Sequence, residues 1–157
     1  MKSLLVGIAV SLALASVAVA KPADPQLMAP INQFGDSFNK GDMKGAIAAT
    51  TPGGMVIIDE VAPYAWSGPS AMQDWVTSLS ATNAAEGLTD ILVKLGEPTN
   101  VMVSGNHGYV VLPATLTFKA KGKPMHEAAQ LTVSLLKGSG GWKMSGWAWT
   151  GNPPQPD

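Results

Sequence analysis

The sequence predicts an α+β fold, with helices in its first half and an antiparallel β-sheet in its second half. Before Gly87, apolar residues recur at intervals of three and four, as they do on one face of a helix. After Gly87, strand-like runs follow one another and are separated by short glycine-containing turns. Strands joined by short turns pair as antiparallel neighbours, and helices followed by such strands form an α+β layout.

The first predicted helix is amphipathic. Ile31, Phe34 and Phe38 form an apolar stripe along one face of it. Pro30 is placed in its first turn, where the missing proline N–H costs no hydrogen bond. Gly41 is predicted to end this helix, because glycine adopts the left-handed conformation of a helix C-terminus.

A short second helix, a strand and a third helix are predicted next. Asp42 is a favourable N-cap for a helix over Met43 to Ala49. Met55 to Ile58 is a brief, fully apolar strand. Ser70 lies in the turn that begins the third helix, and Trp75 lies on the apolar stripe of that helix, which predicts that it is a core residue.

The second half of the chain contains five strand-like runs. They are TDILVKLG, VMVSG, YVVLPATLTFKAKG, HEAAQLTVSLLKG and GWKMSGWAWTG. Hairpin turns are predicted at Gly105-Asn106, at Gly122-Lys123 and at 138–140. The expected organisation is one domain over residues 28–151, followed by a loose, proline-rich tail at 152–157.

The N-terminus has the features of a signal peptide at residues 1–20. Lys2 is followed by an apolar stretch, and Ala18-Val19-Ala20 has the small-residue pattern of a cleavage site. Cleavage would make Lys21 the new N-terminus and leave residues 21–27 as a linker. We therefore expect an exported protein, periplasmic or secreted, with no membrane attachment once the signal is removed.

The composition excludes several classes of function. The chain has no cysteine, so thiol catalysis, thiolate metal sites and disulfides are excluded. It also has no arginine, all ten basic residues are lysines, and the formal net charge is −1. Because nucleic-acid binding needs a concentration of positive charge, we expect no nucleic acid as a partner.

Three stretches resemble the nuclear transport factor 2-like superfamily, which includes ketosteroid isomerase, scytalone dehydratase and the SnoaL-like proteins. They are FNKGD, WSGPSAMQDW and the closing GGWKMSGWAWTG. The resemblance covers roughly Met28 to Gly151. It implies a cone, in which a strongly curved antiparallel sheet wraps three N-terminal helices and leaves a pocket at the wide end.

The resemblance points to Asp59, which follows the apolar strand, as a candidate catalytic residue. Ketosteroid isomerase-like members place a proton-shuttling carboxylate there, in an apolar cavity that raises its pKa. Tyr64, in the loop after Asp59, is a second candidate catalytic residue. Phe34 stands where those members have a hydrogen-bonding tyrosine, and no acid occurs at 130–132, where they have a second donor. In the alternative interpretation, Asp59 and Glu60 only cap the end of the strand.

The predicted pocket is lined by aromatic residues around Asp59. The predicted ligand-binding residues are Phe34, Phe38, Asp59, Tyr64, Trp66, Tyr109 and Trp147. Trp147 and Trp149 share a strand face that is predicted to lie opposite Met144, and this face lines either the cavity or the outside of the sheet. The histidines are too widely spaced to indicate a metal site, so no metal and no cofactor are expected.

Three functions stay open at this point. The leading hypothesis is a domain that binds a small, largely apolar molecule of unknown identity. The second is an isomerase, dehydratase or cyclase that uses Asp59 as a general base. The third is an interaction domain. A homodimer through the open sheet face is also expected, because the segment WKMSGWAWT would otherwise expose tryptophans.

Overall fold

A computed structural model describes residues 24–157. The predicted signal peptide, and the predicted linker as far as residue 23, lie outside the described residues. The helices are α1 (Pro25–Asn39), α2 (Met43–Ala48) and α3 (Ala71–Glu86). The strands are β1 (Met55–Ile58), β2 (Ala65–Gly68), β3 (Leu88–Leu95), β4 (Asn100–Ser104), β5 (His107–Ala120), β6 (Lys123–Gly138), β7 (Gly141–Gly151) and β8 (Gln155–Pro156).

The strands form one large curved sheet that packs on the helices, so the predicted α+β fold is confirmed. The main strand order is β2-β1-β7-β6-β5-β3, with β4 paired to β5 and β8 paired to β6. All pairs after Gly87 are antiparallel, as predicted. The sheet is nevertheless mixed, because β1 runs parallel to β7 and thereby joins the first half of the chain to the last long strand.

The N-terminal helix begins earlier than the sequence predicted. Asp24 caps α1 by accepting a hydrogen bond from the Gln26 N–H at 2.9 Å, and Pro25 occupies the first turn. Pro30 therefore lies inside the helix, which corrects its predicted place in the first turn. The last part of the predicted linker, residues 25–27, is helical, and its Leu27 is fully buried in the core.

The predicted helix ends agree with the structure. Asp42 accepts a hydrogen bond from the Gly45 N–H at 2.9 Å. Gly41 and Gly87 adopt positive φ angles of 68° and 67°, which glycine reaches without the strain that a side chain would cause. Among the helices at residues 24–157, none is long and apolar enough to cross a membrane.

A β-bulge in β7 decides which way its tryptophans face. Ser134 pairs with Gly146, whereas the next residue of β6 pairs with Met144, so Ser145 is the extra residue. An extra residue shifts the alternation of side chains by one position. Met144 and Trp147 are both buried in the core, which corrects the predicted placement of the two on opposite faces.

The C-terminal tail is ordered, in contrast to the loose tail that the sequence predicted at 152–157. Its strand β8 pairs with β6 at Met125 and His126. The Asp157 carboxylate lies 2.6 Å from Nδ1 of His126, on the exposed side of the sheet. Backbone pairing and this contact fix a segment whose proline content alone suggested disorder.

Candidate small-molecule site

A cavity of about 700 Å³ lies between α1, α3 and the concave face of the sheet. Helical residues, strand residues and the loop after β1 all contribute to its wall. The sheet side is largely aliphatic and aromatic and includes Val93, Leu95, Leu116, Phe118 and Leu131. Mostly apolar cavities of this size, with a few polar groups, are the usual form of small-molecule sites.

Aromatic rings form one wall of the cavity. Trp75 and Trp147 meet edge to face, with ring centroids 5.0 Å apart. Phe34 packs against both of them, at 6.3 Å from Trp75 and 6.1 Å from Trp147. Phe38 lies beside Phe34 and Trp75. The rings belong to α1, α3 and β7, so three separate elements form this wall.

The Asp59 carboxylate lies on the cavity wall and is held by two donors. Its Oδ2 accepts a hydrogen bond from Nε1 of Trp75 at 2.9 Å, and its Oδ1 accepts one from the Val61 N–H at 3.1 Å. Burial raises the pKa of Asp59 above its ordinary value, although both hydrogen bonds oppose the shift. The neighbouring Glu60 adds a smaller repulsion in the same direction as burial. This is the direction that the sequence predicted.

A second carboxyl group, that of Glu127, faces the same cavity from β6. Its side chain is 4% exposed, and its Oε1 accepts a hydrogen bond from Nε1 of Trp149 at 2.7 Å. Burial raises the pKa of Glu127, and the charges of Glu60 and Asp59 act in the same direction, against the bond from Trp149. The carboxyl groups of Asp59 and Glu127 are therefore electrostatically coupled.

The carboxyl side chains of Glu60 and Glu127 meet at Gly151. The Gly151 N–H donates to Oε1 of Glu60 at 2.8 Å. A Cβ atom at residue 151 would overlap the Glu127 carboxyl group and approach Glu60 to 2.9 Å. Glycine is required here because two carboxyl groups approach the backbone closely.

One polar group of the wall lacks a partner. The indole Nε1 of Trp147 is buried and forms no hydrogen bond within the described residues. The Trp147 side chain as a whole is 6% exposed and lines the cavity. A buried donor without a partner costs free energy.

Five of the predicted site residues line this one cavity: Phe34, Phe38, Asp59, Tyr64 and Trp147. Tyr64 lies at the mouth, and its side chain is 63% exposed. Its backbone carbonyl accepts from the Asp59 N–H at 3.1 Å, whereas the Asp59 carboxylate is bonded to Trp75 and to the backbone. Tyr64 therefore fixes the loop that carries Asp59, and its hydroxyl is not the partner of the acid.

Trp66 and Tyr109 were predicted to line the pocket, and the structure corrects both placements. Trp66 is buried in the core, where it pairs across the strands with Ile57, and it does not reach the cavity. Tyr109 lies on β5 between Gly108 and Val110, which are both buried. Because side chains alternate along a strand, Tyr109 points to the outer face of the sheet.

The sequence reasoning missed Glu127 as a site residue and assigned Trp75 to the core alone. A signal for Glu127 was present. It occupies the position between Met125 and Ala129 on a strand face that continues with Leu131. A single acid in an apolar row at intervals of two residues indicates a buried carboxyl group. The sequence contains no comparable signal for the hydrogen bond from Trp75 to Asp59, because a tryptophan on the apolar face of a helix is expected in the core whether or not it forms such a bond.

The histidines lie away from this group. His126 is bound to Asp157 on the exposed side of the sheet, and His107 is at the exposed start of β5. Over residues 24–157, no group of three His, Asp or Glu side chains has an arrangement suited to holding a metal ion.

Solved structures with a related fold superpose on most of this chain. A ketosteroid isomerase-like protein from Erwinia carotovora atroseptica has a TM-score of 0.63 at 21% identity, covering 82% of this chain and 95% of that one. A nuclear transport factor 2-like superfamily protein from Salmonella enterica serovar Typhimurium has a TM-score of 0.65 at 17% identity, covering 80% and 88%. A hexachlorocyclohexane dehydrochlorinase, LinA type 2, has a TM-score of 0.65 at 14% identity, covering 82% and 87%.

The chain thus has the nuclear transport factor 2-like fold, as its sequence resemblance predicted. No protein-family model matches the sequence, and no curated protein sequence matches it. At these identities the likeness establishes the fold, and the activity has to be argued from the site.

Proposed function

We propose that this domain binds a small, largely apolar molecule in the cavity between its helices and its sheet. The observation that carries the proposal is the cavity itself, about 700 Å³ in volume, with an aromatic wall and two partly or fully buried carboxyl groups. A monomeric domain fills such a space with side chains unless the space has a use. The related folds include proteins described as isomerase-like and as a dehydrochlorinase, which fits a site for small molecules.

Binding can be tested with adamantylmethanol, a compact neutral probe, by titration calorimetry. We expect a Kd on the order of 0.1 mM for a probe of this size in an apolar cavity. Val93→Trp places a large side chain in the cavity and should weaken binding at least about tenfold. Val103→Trp, on β4 at a 55% exposed position, is the matched control and should bind as the unmodified protein does. Equal affinity in both variants would show that the probe binds elsewhere.

Enzymatic proton transfer is the second candidate function, and the pairing of Asp59 with Glu127 favours it. The Asp59 pKa is raised, which makes its carboxylate a stronger base than an exposed one. The Glu127 pKa is also raised, so its carboxyl group can hold a proton and donate it to a developing oxyanion. Such an arrangement would suit an isomerase, dehydratase or cyclase acting beside a carbonyl group.

This second candidate can be tested without knowing the natural substrate. Incubation with cyclohexanone in heavy water, followed by mass spectrometry, reports exchange of the protons beside the carbonyl group. A general base should accelerate the exchange, and Asp59→Asn should lower it by about a hundredfold, because the amide keeps the shape and loses basicity. Glu97→Gln, at an exposed position outside the cavity, should leave the rate unchanged. An exchange rate equal to that of buffer would leave ligand binding as the function.

Export stays part of the proposal. It is supported by the charged start, the apolar stretch and the Ala18-Val19-Ala20 pattern. Expression of the full chain in a bacterium, followed by fractionation and N-terminal sequencing, should recover protein that begins at Lys21 outside the cytoplasm. Recovery of the intact N-terminus in the cytoplasm would contradict it.

A further inference from the structure

We infer that the cavity is built for an organic cation: an apolar molecule whose protonated amine or quaternary ammonium group lies against the carboxyl groups of Asp59 and Glu127. This inference rests on the proposed binding function and specifies the class of ligand. It is carried by the charge of the cavity wall, by a free carboxyl oxygen on that wall and by the aromatic rings beside it.

The charged residues of the wall all have the same sign. Asp59, Glu60, Glu86 and Glu127 line the cavity, and no lysine or histidine of the described chain lies among its lining residues. Carboxyl groups that are desolvated without a positive partner are costly, and a cation brought by a ligand removes that cost. A metal ion does not fit this role, since over residues 24–157 no three side chains are arranged to hold one.

The indole donors hold two of these acids in place and leave acceptor positions free. Trp75 donates a hydrogen bond to Oδ2 of Asp59, and Trp149 donates one to Oε1 of Glu127. Oε2 of Glu127 has no hydrogen-bond partner among the described residues. A fixed carboxyl group with a free oxygen is suited to accept a charge-assisted hydrogen bond from an ammonium group.

The surrounding rings favour the same class of ligand. Phe34, Phe38, Trp75 and Trp147 pack together on the wall, with neighbouring centroids between 5.0 and 6.5 Å apart. Aromatic faces attract cations, and tryptophan does so most strongly, which is why clusters of rings recognise alkylated ammonium groups. The same rings accept the hydrocarbon body of the molecule, so one wall serves both parts.

Three probes with the same adamantyl body test the inference: adamantylmethylamine, which is cationic near neutral pH, adamantylmethanol, which is neutral, and adamantanecarboxylate, which is anionic. Their affinities for the unmodified protein are measured by titration calorimetry at low salt. The amine is expected to bind about tenfold more tightly than the alcohol, and the carboxylate more weakly than both.

The outcomes separate this inference from the proposed function. If the alcohol binds and the amine binds no more tightly, the cation inference is overturned and the binding function stands. If none of the three binds at millimolar concentration, the binding function fails and the inference fails with it. The ranking uses the unmodified protein, so it does not depend on any variant folding.

A variant pair then assigns the effect to the acid. Glu127→Gln keeps the size of the side chain and its acceptor for Trp149, so it should reduce the amine affinity about tenfold and leave the alcohol affinity within about twofold. Glu97→Gln, which removes the same charge at an exposed position, should reduce neither. Equal amine affinities in the two variants, with native circular dichroism spectra, would overturn the role of Glu127.

Discussion

Two buried acids and their indole donors are the residues on which the site depends. Asp59 and Glu127 each receive one N–H bond from a tryptophan, Trp75 and Trp149 respectively. Each bond stabilises the charged form of the acid, while burial stabilises the neutral form. Burial outweighs the bond at both positions, so both acids retain protons at a higher pH than an exposed carboxyl group does.

Glu127→Gln is therefore expected to stabilise the empty protein at neutral pH. Because the folded-state pKa of Glu127 is raised, its favourable contribution is complete below the ordinary value of 4.5 and is lost as the pH rises through the folded-state value. The amide does not titrate, so the variant should gain about 1 kcal/mol relative to the unmodified protein between about pH 4 and about pH 8.

Urea unfolding at both pH values measures this difference for Glu127→Gln. The same measurement on Glu97→Gln provides the control for removing one negative charge. A variant that loses more stability at about pH 8 than at about pH 4 would show that the Glu127 carboxylate is favoured in the folded state.

Trp75→Phe is expected to raise the pKa of Asp59 further. The change removes the Nε1 donor 2.9 Å from Oδ2 and leaves burial unopposed on that side. Titration of the Asp59 carboxyl carbon by NMR should show the shift. Trp142→Phe, another buried tryptophan that does not contact Asp59, should leave the titration where it was. A lower Asp59 pKa in Trp75→Phe would contradict the role of the indole.

At the scale of an element, the bulge in β7 turns its tryptophans toward the interior. Deletion of Ser145 should restore a regular strand in which Met144 and Trp147 are two positions apart, so both keep facing the interior. We expect a loss of only about 1 kcal/mol in the free energy of unfolding, because both tryptophans stay in place.

The matched control for the bulge is Ser145→Ala. It keeps the extra residue and loses only the Oγ contact with Ser134 at 3.2 Å, so it should cost less than about 1 kcal/mol. Tryptophan emission gives a second measurement, and its wavelength should be unchanged in both variants. A shift to longer wavelength in the deletion variant would mean that the register has slipped and that the tryptophans have left the interior.

The elements themselves were largely predictable from the sequence, whereas their contacts were not. Local chemistry marked the caps at Asp42 and the glycine turns, and alternation marked the long strands. The bulge at Ser145 has no signal in a run such as GWKMSGWAWTG, since its register depends on the partner strand. The position of Glu127 in the site also depends on the long-range pairing of β6 with β7, and the position of the tail depends on its pairing with β6. Local secondary-structure propensity therefore could not predict either position.

At the scale of the whole molecule, the homodimer through the sheet face stays a prediction, with a different basis. Trp147 and Trp149 of the segment that motivated it line the cavity, and Trp142 is buried. Other apolar residues occupy the outer face, and Met102 and Tyr109 are opposite each other there, 61% and 40% exposed. Sedimentation equilibrium at micromolar concentration should show dimers that the double change Met102→Lys with Tyr109→Lys converts to monomers. Monomers throughout for the unmodified protein would contradict it.

The parallel pairing of β1 with β7 has a consequence for the order in which the chain folds. Ile57 lies beside Trp147 in this pair, so a loop of about 90 residues must close before β1, which also pairs locally with β2, gains β7 as its second neighbour. Contacts so distant along the chain are slow to form. During synthesis, β1, which precedes Asp59, cannot pair with β7 until nearly the whole polypeptide has been made. A chain that stops before β7 leaves Ile57 without this neighbour and lacks one wall of the cavity. Completion of the binding site therefore reports that the entire domain has folded.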